Sequence, residues 1–168
     1  FDLEGFSHAV RIVFTAQDIL VGNADYPTEP IAQTSRDFRQ LGLGYTNLGA
    51  MLMALGLPYD SERARAWTGA VTALMSGHAY ATSVDLAQRV GAFAGYTSNS
   101  EAMQQVLGRH RDALKSVSGS APPDLMSAAE KSWDDAVKGC QQHGIRNSQA
   151  TVIAPTGTIS FMMDCDTT

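Results

Sequence analysis

The stretch QATVIAPTGTIS, residues 149–160, interrupts a sequence that otherwise favours helices. Residues 149–154 are short, β-branched and apolar at their end, which predicts a buried strand. Residues 155–158 follow as a turn, and a new element can begin at Ile159. A single strand is not stable by itself. The pattern therefore predicts a sheet whose other strands lie outside this chain.

The turn after the predicted strand has the composition of an anion site. Gly157 allows the backbone to approach a ligand closely or to adopt a positive φ. Thr156, Thr158 and Ser160 supply hydroxyl groups, and consecutive amides in such a turn can bind a phosphate. The turn lacks the Gly-Lys-Ser/Thr ending of a P-loop, so it is not an NTPase signature. From the residues alone, two interpretations remain open: a phosphate site and an ordinary turn after a strand.

Residues 1–144, before this stretch, are rich in helix signals. The longest predicted helix covers residues 61–90, and small residues on several of its faces favour close packing by other helices. Asp2 is positioned to cap a first helix, and Asn99 or Ser100 to cap a later one. The remaining predicted segments are helices over 2–21, 50–55, 99–117 and 124–142, a loop over 26–30, a short turn over 34–41 and a linker over 118–123.

Composition and charge exclude several classes of protein. The chain has 168 residues, with 12 Lys and Arg against 17 Asp and Glu, and a formal charge of −5. An acidic chain without a run of basic residues is a poor candidate for general binding to nucleic acid or to an anionic membrane. No apolar run reaches the roughly 18 residues of a membrane span, and no signal peptide is visible. We therefore expect a cytoplasmic protein with neither nucleic-acid nor membrane partners.

Metal-ligating and redox residues are sparse. Cys140 and Cys165 are too few for a disulfide-rich scaffold or a four-cysteine zinc site. The histidines lie on separate predicted elements, so we predict no metal site. The chain begins at Phe1 without a Met and ends abruptly at Thr168. We expect a fragment of a longer protein, with an ordinary processed boundary as the alternative.

Separated sequence motifs point to a known family. One runs through GIRNSQAT, residues 144–151, into APTGTIS, residues 154–160. Another, RQLGLGYTNLG, residues 39–49, precedes the alanine-rich long helix, and the closing DCDTT, residues 164–168, also fits. In these motifs, and in register over essentially the whole chain, the sequence resembles the large, adenosylcobalamin-dependent class II ribonucleotide reductases.

This resemblance implies a fold and an activity. It implies a ten-stranded α/β barrel, to which this chain contributes a C-terminal-side part that is mainly helical with one or two short strands. Within this partial catalytic domain, residues 1–144 are the helix-rich part and residues 149–160 are the strand and phosphate-binding loop. The implied reaction reduces ribonucleotides to 2′-deoxyribonucleotides, through a cysteine thiyl radical that adenosylcobalamin initiates.

The resemblance also assigns residues. The family's loop that holds the substrate's phosphates matches Pro155, Thr156, Gly157, Thr158 and Ile159, with Ser160 adjacent, and we expect these six to bind phosphate. The family's Asn-Pro-Cys-Ser-Glu motif, which carries the thiyl cysteine and the catalytic carboxylate, does not occur in this sequence. We therefore assign no catalytic residue here and expect the chain alone to be inactive. Roles for the two cysteines and contacts to cobalamin are left unassigned.

The implied intact enzyme is a cytoplasmic ribonucleoside-diphosphate reductase of the thioredoxin-disulfide type. Its partners would be a ribonucleotide substrate, deoxynucleotide and ATP effectors, a thioredoxin-type reductant and the remainder of the same polypeptide. Two alternatives stay open. One is a free-standing helical interaction module without enzymatic activity. The other is a fragment of a reductase that does not use cobalamin, since the phosphate loop recurs in altered form across the superfamily.

Overall fold

A computed structural model describes residues 1–117 and 119–167, and helices dominate it. Ser118, in the predicted linker, and Thr168, in the closing motif, lie outside the described residues. The described residues form a short 3₁₀ turn at Leu114–Ser116 and the α-helices α1 (Leu3–Asn23), α2 (Glu29–Phe38), α3 (Leu48–Ala54), α4 (Glu62–Val90), α5 (Tyr96–Ala113), α6 (Pro123–His143) and α7 (Gly157–Met162).

The long helix α4 confirms the sequence prediction and lies at the centre of the packing. Ser61 caps it, accepting a hydrogen bond from the Ala64 amide at 3.1 Å. Asp2 caps α1 in the same way, through the Gly5 amide at 2.9 Å. Helix α4 packs against both α1 and α6 and has buried residues on several faces. None of the helices in the described part of the chain is both long and apolar enough to cross a membrane.

Glycines allow α4 and α6 to pack closely. A Cβ at Gly77 of α4 would collide with the Ser132 side chain of α6, and a Cβ at Gly139 of α6 would collide with Val84 of α4. Trp133, almost fully buried, donates its indole N–H to the Ala73 carbonyl at 3.0 Å. The small residues of these helices therefore fix the distance between the two helix axes.

A buried polar network joins α1 and α4 to the chain after α6. The Asp18 carboxylate accepts from Arg39 Nε at 2.9 Å and from Asn147 Nδ2 at 2.8 Å. Asn147 is fully buried; its Oδ1 accepts from the Ser83 hydroxyl at 2.8 Å. Arg146 Nε lies 3.7 Å from the other Asp18 oxygen. Burial and the neighbouring Arg39 lower the pKa of Arg146, while Asp18 opposes that shift.

The predicted strand over residues 149–154 is wrong, and so is the fold class that included it. Within 1–117 and 119–167 there is no strand, sheet or barrel, only an isolated parallel bridge between Leu43 and Thr151. Val152 and Ile153 are 45% and 53% exposed instead of buried. β-branched residues favour a strand only where a partner continues the ladder. Here the predicted strand makes only a few backbone hydrogen bonds with residues 41–43, and it ends at Pro155.

Two helix starts also differ from the prediction. Helix α2 begins at Glu29, inside the predicted loop, because a proline is compatible with the first turn of a helix and Pro30 lies there. Helix α5 begins at Tyr96, before both predicted caps. The Asn99 side chain instead donates back to the Gly95 carbonyl at 2.8 Å, as a residue within the first turn.

Because α4 and α6 pack closely, we expect that any side chain larger than glycine at the interface glycines destabilises the protein. Gly77→Ala and Gly139→Ala should each lower the free energy of unfolding by about 1–3 kcal/mol, because the added methyl group overpacks the interface. Gly108→Ala is the matched control, since a Cβ at that helical position meets nothing within 4 Å. It should be neutral or stabilising by up to about 1 kcal/mol. Urea denaturation of the three variants in the intact protein measures the difference.

The buried network predicts a cost for losing Asn147. Asn147→Ala removes one donor to Asp18 and the acceptor of Ser83, so it should destabilise by about 1–3 kcal/mol. Asn23→Ala is the control, because the exposed Asn23 side chain bonds only to the Ile19 carbonyl of its own helix. A surface change of that kind should stay within about 0.5 kcal/mol. Equal thermal shifts for the two variants would contradict the structural role of the network.

Candidate functional site

The predicted phosphate loop forms an exposed turn into α7. Thr156 adopts the left-handed conformation, with φ of 57°, and precedes the helix that begins at Gly157. Gly157, Thr158 and Ile159 are exposed. Their amides lie in the first helical turn, where the helix itself offers no acceptor, and no side chain caps α7. This arrangement can present several N–H donors to one anion.

Of the two roles that the sequence suggests for Gly157, the structure contradicts only the positive φ. Gly157 is not among the residues with positive φ; Thr156 takes that conformation instead. Among the described residues, a Cβ built on Gly157 would meet nothing within 4 Å. Internal packing therefore does not require a glycine at this position. The open space beside it is what a ligand would use.

Ser160 is separated from the rest of the loop by burial. Its residue exposure is only 3%, and its hydroxyl donates to the Thr156 carbonyl at 2.5 Å. The same hydroxyl lies 2.6 Å from the hydroxyl of Thr46. The structure thus brings Gly157, Thr158 and Ile159 to the surface together, with Thr156 half-buried and Ser160 buried behind them. Pro155 is also exposed and precedes the turn.

Thr46 and Asn47 are site residues that the sequence analysis missed as individuals. Both belong to the second motif, residues 39–49, whose role that analysis left open. Asn47 has a left-handed backbone, with φ of 68°, and occupies the N-cap position just before α3. It contacts Asp166, so the second motif and the closing motif meet beside α7. In the sequence, the only indication that Thr46, Asn47 and Asp166 lie close together was that they belong to motifs of the same family.

An apolar cavity of about 410 Å³ lies beside the loop. It extends between α1 and the stretches around Leu43 and Val152, and Thr156 and Ile159 form part of its wall. Gln17 also lines it, and the side-chain oxygen of that residue is buried without a hydrogen-bond partner. The loop therefore stands at the edge of a concave, mostly apolar surface.

The cysteines lie apart from each other. Cys140 is buried in α6, where desolvation raises the pKa of its thiol and makes a thiolate unfavourable. Cys165 is half-buried, with its sulfur 3.9 Å from the Thr46 hydroxyl. Among residues 1–117 and 119–167, no group of three or more His, Cys, Asp or Glu side chains could hold a metal ion. Both cysteines are free, and within the described part of the chain neither belongs to such a group.

Comparisons with known proteins cover the entire chain. The family model described as the ribonucleotide reductase barrel domain matches residues 1–168. A relative from Rhodopirellula baltica, named a vitamin B12-dependent ribonucleotide reductase, is 54% identical over 100% of this chain and 16% of its own length. Relatives with that name from Streptantibioticus cattleyicolor and Bradyrhizobium diazoefficiens are 48% and 45% identical, over 99% and 100% of this chain.

The chain spans only a small part of these relatives, 28% of the Streptantibioticus protein and 15% of the Bradyrhizobium protein. The described residues do not form the barrel after which the family domain is named. The match nevertheless extends from the first residue to the last, through α4, the loop and the closing motif. This chain belongs to the ribonucleotide reductase barrel-domain family.

Proposed function

We propose that this chain is part of a vitamin B12-dependent ribonucleotide reductase, which reduces ribonucleotides to 2′-deoxyribonucleotides for DNA synthesis. Three relatives with that name support the assignment, at 45–54% identity. A free-standing interaction module is disfavoured, because those relatives are several times longer than this chain. No observation in the structure favours a reductase that does without cobalamin.

We propose that residues 155–160 bind the phosphates of the ribonucleotide. The observation that carries this proposal is the exposed turn from Thr156 into α7, with open space at Gly157. The amides of Gly157, Thr158 and Ile159 would donate to phosphate oxygens, and the Thr158 hydroxyl would add a further donor. Ser160 would support the turn from inside. Residues 1–144 would form the helical scaffold that holds the loop in place.

The remaining partners are proposed on family membership alone. They are deoxynucleotide and ATP effectors and a thioredoxin-type reductant, acting on an intact enzyme in the cytoplasm. Adenosylcobalamin would supply the initiating radical when bound. We assign no cobalamin contact and no reaction step to the described residues. Their part is to bind and orient the substrate, and the chain alone should not turn over.

The phosphate proposal predicts a selective effect at Gly157. In the intact enzyme, Gly157→Val should raise the KM for CDP or CTP, because the branched side chain occupies the space that a phosphate would use. Losing one or two charge-assisted hydrogen bonds of about 1.5–3 kcal/mol each corresponds to at least a roughly tenfold weaker affinity. Steady-state kinetics with each nucleotide measure the change, and Gly157→Ala should give a smaller effect in the same direction.

Gly108→Ala again provides the control, because its added Cβ also meets nothing within 4 Å but lies on α5, away from the loop. It should leave KM unchanged. The thermal melt of Gly157→Ala should match that of the parent enzyme, since none of the described atoms lies within 4 Å of the new Cβ. An unchanged KM in Gly157→Val for both nucleotides would refute the loop assignment.

A further inference from the structure

A hydroxyl network joins the residues before α3 to α7 and the closing segment. Thr46 Oγ1 lies 2.6 Å from Ser160 Oγ and donates to the Asp166 carbonyl at 2.7 Å. Asn47 binds the same residue twice: its amide donates to the Asp166 carbonyl at 2.9 Å, and its Oδ1 accepts from the Asp166 amide at 3.1 Å. We call Thr46, Asn47, Ser160 and Asp166 the latch.

The latch reaches the proposed phosphate loop through Ser160. The Ser160 hydroxyl and amide both donate to the Thr156 carbonyl, at 2.5 and 3.1 Å. Thr156 has a left-handed backbone, which is uncommon for a β-branched residue and must be held by its surroundings. The two hydrogen bonds that Ser160 donates to the Thr156 carbonyl stabilise this backbone conformation. They also fix the orientation of the first turn of α7, where the proposed phosphate donors lie.

The Ser160 hydroxyl depends on the hydroxyl proton of Thr46. Each hydroxyl has one proton. When the Ser160 proton points to the Thr156 carbonyl, the single Thr46 proton is shared in a three-centre hydrogen bond between Ser160 Oγ at 2.6 Å and the Asp166 carbonyl at 2.7 Å. Cys165 lies on the acceptor side of Thr46, with its sulfur at 3.9 Å. Without the Thr46 hydroxyl, Asp166 would lose a donor, and its carbonyl is already 3.1 Å from Ser160 Oγ. The Ser160 proton would then be divided between two carbonyls.

We propose that Thr46 is a positioning residue for the nucleotide phosphates: without touching them, it keeps the Ser160 hydroxyl on the Thr156 carbonyl and so holds the loop in its binding conformation. This inference rests on the proposed function, in which the loop after Thr156 binds phosphate. The residue acts from 114 positions upstream of Ser160 in the sequence. Asn47 contributes by fixing the backbone of Asp166.

The test compares Thr46→Val with Thr46→Ser in the intact enzyme. Valine matches threonine in shape and removes the hydroxyl, whereas serine retains it. Thr46→Val should raise the KM for CDP or CTP about three- to tenfold and leave kcat within about twofold, as expected for the loss of one hydrogen bond that acts on binding. Thr46→Ser should restore KM to within about twofold of the parent. Thr15→Val, which removes an exposed hydroxyl bonded only within α1, should change nothing.

The outcomes separate this inference from the phosphate proposal. If Gly157→Val raises KM and Thr46→Val does not, the positioning role is overturned and the phosphate loop stands. If Gly157→Val has no effect, the loop assignment fails and the positioning role falls with it. A Thr46→Ser variant as impaired as Thr46→Val would also overturn the proposal, because the hydroxyl would not be the active feature. Should Thr46→Val fail to fold, Ser160→Ala replaces it, and an unchanged KM there has the same consequence.

Discussion

The carboxylate of Asp18 is buried, and a buried charge must be paired and hydrogen-bonded to be tolerated. Its partners come from distant parts of the chain: Arg39 follows α2, and Asn147 follows α6. Both are themselves buried, so neither can move without leaving a polar group unsatisfied. The Asn147 amide also donates to Ser83 of α4, which connects this constraint to the central helix. The pairing therefore fixes the starting points of two extended stretches of the chain, one that follows Arg39 and one that follows Asn147.

From these starting points the two stretches run side by side toward the loop. The Leu43 amide donates to the Ala150 carbonyl, and Val152 returns a hydrogen bond to Leu43. A Cβ at Gly44 would lie 2.7 Å from the Val152 carbonyl oxygen, so only glycine permits this approach. Beyond it the stretches end in the latch and in α7. A helix as short as α7 is not stable in isolation, so its geometry comes from the tertiary contacts at both ends.

Features that depend on local interactions could be predicted from the sequence. The cap at Asp2 and the extent of α4 are set by neighbouring residues, and they were predicted correctly. Residues 149–154 show the limit of such reasoning. Their β-branched composition permits a strand, but a strand exists only if a partner supplies a continuous ladder, and local sequence does not encode the partner. The family resemblance identified both motifs of the candidate site, yet their contact depends on packing across more than a hundred residues.

Ser160 shows how a linear motif can combine two chemical tasks. It lies four residues after Thr156, and one helical turn later a side chain returns to the same face. A serine hydroxyl at that spacing can bond to the carbonyl four residues earlier, as Ser160 does. Residues between them, such as Gly157 and Thr158, must then point elsewhere, and here they face outward. The consecutive residues of the loop thus divide into an exposed group suited to a ligand and a buried serine that holds it. This division follows from helical periodicity once α7 is known to begin at Gly157.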